Sequence, residues 1–72
     1  MKPQHQLVLE HLKEHGSISS YEAEKEYGIM RLTLRIMYLK GHGYNITEEI
    51  RTREDRWGKP YQYLAYVLLD QN

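Results

Sequence analysis

Two groups of side chains in this chain have types and spacings suited to gripping a polyanion and reading its surface. The first is Arg31, Thr33, Leu34 and Tyr38, set along one segment together with Met30 and Met37. An arginine can donate two parallel hydrogen bonds to a guanine edge, hydroxyls can donate or accept, and an apolar side chain can meet a thymine methyl. The second group, Arg51, Arg53, Arg56 and Lys59, surrounds the flat ring of Trp57. A cationic loop of this kind suits phosphate oxygens or the floor of a minor groove. Glu54 and Asp55 stand among these cations, and pairing with them would blunt the field.

Other chemistries find less support. His11 and His15 have the i, i+4 spacing of two metal ligands on a helix, yet Leu12 follows His11 where a zinc-protease pattern has Glu, and no third ligand has a recognisable spacing. A solvated pair is expected, with His15 favoured by the dipole at a helix C-terminus. His5 and His42 carry no signal. Ser17, Ser19 and Ser20 suit a turn and a cap, and local sequence puts no histidine–acid pair beside them. The chain is therefore expected to be no enzyme and to use no metal, cofactor or small-molecule substrate. The absence of cysteine removes disulfides, thiolate zinc sites and a cysteine nucleophile, and fits a reducing compartment. No apolar run is long enough to span a bilayer, and the opening MKPQHQ lacks the plan of a secretory signal, so a soluble, cytoplasmic protein is expected.

The 72 residues allow one domain, expected over 1–72, and a domain this small has few apolar side chains to spare for its surface. The formal charge is zero, which argues against a general polyanion binder. The charges are nevertheless segregated. Three Lys face five Glu from Met1 to Met30, whereas seven Lys or Arg face four acids from Arg31 to Lys59.

The elements that position these residues can be read from the apolar spacing. Pro3 suits the first turn of a helix whose buried stripe is His5, Val8, Leu9 and Leu12, ending by Gly16. Ser19 and Glu22 have the spacing of a capping box, with Ile18 as the hydrophobic staple, so a second helix starts there. It carries Ala23, small enough for close helix approach, and ends at Tyr27 before Gly28, with Gly28-Ile29-Met30 as the turn. In the third helix Ile29, Leu32, Ile36 and Leu39 point inward. At about 100° per residue this turns Met30, Leu34, Met37 and Tyr38 outward, with Arg31 and Thr33 on the flanks and Arg35 beside the core stripe as a tether. After Gly41 to Gly43 the period falls to about two, marking a strand with Tyr44, Ile46 and Ile50 inward. The polar stretch RTREDRWGKP reads as a long hairpin loop, followed by a second strand from Tyr61 to about Leu69. The expected fold is α+β: a helix-turn-helix core of three helices followed by a two-stranded antiparallel hairpin, the wing.

Gly16-Ser17-Ile18, Ala23, Gly28-Ile29, Arg31-Leu32, Arg35-Ile36, Gly43-Tyr44-Asn45-Ile46 and Gly58-Lys59-Pro60, in this order and spacing over most of the chain, resemble the short winged helix-turn-helix proteins common in bacteriophages and mobile elements. The resemblance implies DNA binding. The chain departs from the pattern in having Met30 where members place the Ser or Thr that caps the third helix.

Two main readings follow, with a structural adaptor as a third. In the first, a sequence-specific DNA-binding protein, a phage regulator or excision-type accessory factor acting as a dimer, uses Arg31, Thr33, Leu34, Tyr38, Arg51, Arg53, Arg56, Trp57 and Lys59 on double-stranded DNA. Glu22, Glu24 and Glu26 on the second helix count against it, because they would repel phosphates. In the second, the fold has become a protein-interaction module, such as a phage antagonist of a host protein or nuclease. The last strand is apolar on both faces, with Leu64, Tyr66 and Leu68 on one and Tyr61, Tyr63, Ala65 and Val67 on the other. The surplus face should be covered by the N-terminal segment or another chain. Tyr61, Tyr63, Ala65 and Val67, with Met30 and Met37, are thus candidate contacts with a host protein or a second copy.

Overall fold

The computed structural model describes residues 2–69, so residue 1 and residues 70–72, the ends of the expected domain, lie outside the described residues. The chain order is α1 (Gln4–His15), β1 (Ser17–Ser19), α2 (Ser20–Tyr27), α3 (Leu32–Gly41), β2 (Ile46–Glu54) and β3 (Pro60–Leu68). Pro3 is the N-cap of α1. At α2 the capping box is complete: the Glu22 N–H donates to Ser19 Oγ at 3.2 Å and the Ser19 N–H to Glu22 Oε1 at 2.9 Å.

The turn between α2 and α3 depends on Gly28. Its φ of 68° is left-handed, and its N–H bonds the Glu24 carbonyl at 2.9 Å while Ile29 N–H returns to Ala23 O at 3.1 Å. A side chain here would be strained by the backbone conformation alone. The turn is slightly longer than the spacing suggests. Ile29 is buried but not helical, and α3 begins at Leu32 with Arg31 as an N-cap that offers no side-chain hydrogen bond. With Met30 and Arg31 at its start, no short polar side chain is available to hold an earlier turn.

Leu12 of α1, Ala23 of α2, Ile29 of the turn and Leu32, Ile36 and Leu39 of α3 form the core with Ile18, Ile46 and Tyr66 from the sheet. His5, expected in the buried stripe of α1, is half-exposed, and His11 occupies a buried position instead. Arg35 tethers α3 to α1 as its position suggests, its Nε donating to Gln4 Oε1 at 2.9 Å. Among the described residues no helix is long and apolar enough to cross a membrane.

The sheet differs from the expected two-stranded hairpin. It has three strands in the order β1-β3-β2, all antiparallel. Ser17, Ile18 and Ser19 pair with Val67, Tyr66 and Ala65, placing β3 in the centre over these residues. Three residues are too few to display an alternating pattern, and their roles as staple and cap hide their role as a strand. The first strand of the hairpin also runs further than the pattern implies, while the second has the expected length. β2 reaches Glu54 and β3 starts at Pro60, so Arg51 and Arg53 belong to a strand and only residues 55–59 form the loop. The hairpin outruns the helices: Ile50, expected inward, is 62% exposed opposite Leu64. With no helix beneath them, its outer residues need no hydrophobic alternation, and the sequence shows none.

Candidate nucleic-acid interface

α3 shows Leu34, Met37 and Tyr38 to solvent, the face that its spacing predicts, and Met30 is exposed in the turn before it. The helix carries Arg35 and Lys40 but no acid, and Arg31 stands exposed at its N-terminus. Arg31 makes no ion pair among the described residues. The other candidates are already engaged. Thr33 Oγ1 lies 3.1 Å from the Tyr66 hydroxyl, a bond that fixes the first turn of α3 against β3. The Tyr38 ring lies between two imidazoles, its centroid 4.2 Å from those of both His5 and His42. The Tyr38 carbonyl accepts from His42 Nδ1 at 2.9 Å, which places the proton on that nitrogen. His42 is one helical turn beyond Tyr38, so periodicity alone could have found this contact; His5 reaches Tyr38 only through the packing of α1 on α3.

The tip of the wing is ordered by Asp55. Its Oδ1 accepts from the backbone N–H groups of Trp57 and Lys59, each at 2.9 Å, and its own N–H donates to Lys59 O at 2.9 Å. Gly58 closes the turn with φ of 80°. One oxygen of the carboxylate expected to neutralise the wing arginines is thus spent on the backbone. Arg53, Arg56 and Lys59 make no ion pair among the described residues. Arg56 lies over the Trp57 ring, Cζ 5.4 Å from the centroid, and Trp57 is 76% exposed. A flat ring and a stacked guanidinium at the end of a projecting hairpin can lie along a sugar–phosphate backbone. Replacing Asp55 with alanine should loosen residues 56–59 with a global loss of about 1 kcal/mol. Backbone order parameters at Trp57 and Lys59 should then fall below about 0.6; unchanged values would mean that another contact orders the tip.

A family model described as a winged helix-turn-helix domain matches residues 3–71. The chain belongs to this family. No curated protein matches its sequence.

In this winged helix-turn-helix domain the surplus face of β3 is covered by the chain itself at Ala65 and in part at Val67. Arg51, a candidate phosphate ligand, instead donates from Nη1 to Ser17 Oγ at 2.9 Å and from Nη2 to Glu49 Oε2 at 3.1 Å. The hydrogen bond to Glu49 raises the pKa of the guanidinium. Since β3 lies between β2 and β1, the arginine must cross β3 to reach Ser17, and the small side chain of Ala65 leaves it room. Ala65 is 1% exposed and Val67 half-buried. The expectation that Ala65 contacts a partner is therefore corrected: it is buried in the central strand between Ser19 and Glu49, a neighbourhood that no local pattern could reveal. Tyr61 and Tyr63 differ from it. They line an open cleft with Tyr21, Ser19, Ser20 and Arg53, between the start of α2 and the root of the wing.

Proposed function

We propose that this domain binds double-stranded DNA, with α3 in the major groove and the wing on the backbone, as a sequence-specific regulator or excision-type accessory factor of a phage or mobile element. It acts in the cytoplasm, as a dimer, without cofactor and without catalysing a reaction. The supporting observation is the wing: Arg56 and Lys59 at its tip and Arg53 on β2 make no ion pair among the described residues, and one oxygen of Asp55 is turned to the backbone. The family supports the same reading, since the second helix of a helix-turn-helix commonly enters the major groove. The three acids of α2 disfavour only its own approach to phosphate; α3 carries none.

Fluorescence anisotropy with a duplex tests the proposal. Three wing cations and Arg31 meeting four phosphates would give a slope of log affinity against log salt of about −3.6, at about −0.9 per contact. A flat salt response, or no binding at low ionic strength, would reject it.

A specific observation favours the alternative reading of a protein-interaction module, a phage antagonist of a host protein. Met30 is 74% and Met37 61% exposed beside Leu34, an apolar patch on the face that would otherwise read bases. Methionine packs adaptably against varied partners. If a protein is the target, Leu34→Ser with Met37→Ser should abolish its binding while high salt leaves the wild-type complex intact.

A further inference from the structure

His11 is the one buried side chain with an orphaned polar atom among the described residues. It is 6% exposed, at the joint between α1 and α2. Nδ1 lies 2.7 Å from the Tyr27 hydroxyl, and the rings meet edge-on with centroids 5.6 Å apart. Nε2 has no hydrogen-bond partner; the nearest carboxylate oxygen is Glu22 Oε2 at 3.9 Å. Glu22 cannot approach freely, because its other oxygen accepts from the Ser19 N–H and completes the cap of α2.

Burial and the neighbouring acids raise the pKa of the Tyr27 hydroxyl, so it stays protonated and donates to Nδ1. The neutral imidazole then carries its proton on Nε2, pointing towards Glu22 across a gap too long for a hydrogen bond. Adding a proton reverses this arrangement. Nδ1 becomes a donor facing a hydroxyl that was donating to it, and the cation is drawn towards Glu22 and water. Glu22 lines an open cleft with Tyr21, Lys25 and Glu26 of α2, His15 of α1 and Arg53 of β2.

We propose that His11 is a proton-operated latch between the first two helices: neutral, it holds Tyr27 and closes the joint; protonated, it turns towards Glu22, loosens the joint and disturbs the cap of α2. The balance of groups around it sets the direction. Burial opposes the charge most, and His15 adds repulsion; Glu22, Glu26 and Glu14 favour it but do not offset the burial, so the pKa lies below the usual 6.5. A base whose pKa is lowered by folding contributes stability that is present above 6.5 and is lost as pH falls through the folded value. The latch is therefore closed at neutral pH and released by acid.

Two measurements test it on the intact chain. In an NMR titration the His11 ring should titrate below 6.5, and the Ser19 amide should shift with the same midpoint, because Glu22 is shared between them. In urea unfolding, the folding equilibrium constant should fall severalfold from pH 7.5 to about 5 in the wild type, and much less in His11→Phe. Should His11→Phe fail to fold, Tyr27→Phe decides: without the hydroxyl that stabilises the neutral ring, the His11 midpoint should move up and the pH dependence should shrink. A wild-type midpoint at or above 6.5, a Ser19 amide indifferent to that midpoint, or an unchanged pH dependence in the variant would overturn the latch.

Discussion

Replacing Arg53 and Arg56 together with alanine is expected to weaken binding to duplex DNA roughly 100-fold at low salt, if each loses one charge-assisted hydrogen bond of about 1.5 kcal/mol. The slope of log affinity against log salt should become shallower by about 1.8, two contacts at about 0.9 each. The fold should be unaffected, because both side chains are exposed and neither makes an ion pair or a side-chain hydrogen bond among the described residues. Arg51→Ala is the informative contrast. That side chain is spent on Ser17 and Glu49 within the sheet, so its loss should lower stability and leave the salt slope unchanged. Anisotropy over a range of salt, with urea unfolding of the same variants, separates the two outcomes. If Arg53→Ala/Arg56→Ala bound DNA as the wild type does, the wing would not be on the backbone.

The contrast between these arginines also marks how far the sequence could be read. Arg51, Arg53 and Arg56 look alike in a polar stretch between two strands, and nothing local distinguishes them. What separates them is β1, whose pairing places Ser17 within reach of Arg51, whereas Arg53 lines an open cleft beside the start of α2 and Arg56 stands in the turn. Asp55 is a similar case. Its charge is visible in the sequence, but its commitment to two backbone N–H groups depends on the conformation of the turn. His11 was expected in water because its spacing from His15 suggests one shared face; the approach of Tyr27 from α2 buries it.

Features encoded within a few residues were legible. The Ser19–Glu22 box, the Gly28 stop and the outward turn of Leu34 and Met37 all follow from local rules of helix geometry, and the structure has each of them. The winged helix-turn-helix family model matches residues 3–71, the stretch that holds these features. The candidate site was legible as a set of side chains and less so as a surface. Thr33 and Tyr38 lie on the expected helix, yet Tyr66 and His5 hold them through contacts that join distant parts of the chain.

Everything placed by α3 depends on its inner stripe, so Ile36→Ala should have the largest effect on stability. Ile36 is 2% exposed in the core of α3. Removing a buried isoleucine to alanine costs about 2–5 kcal/mol, the transfer of the lost methyl and methylene groups plus the cavity left behind. At roughly 0.05–0.15 kcal/mol per residue the whole domain holds on the order of 4–11 kcal/mol, so this one change removes a large share and could leave the chain mostly unfolded at 37 °C. Met37 follows in the sequence and is 61% exposed, so Met37→Ala should fall within about 0.5 kcal/mol of the wild type. Urea midpoints for the pair test the orientation of the helix directly. Comparable losses from the two would mean that α3 is rotated about its axis, and that the face assigned to base reading is the one packed inside.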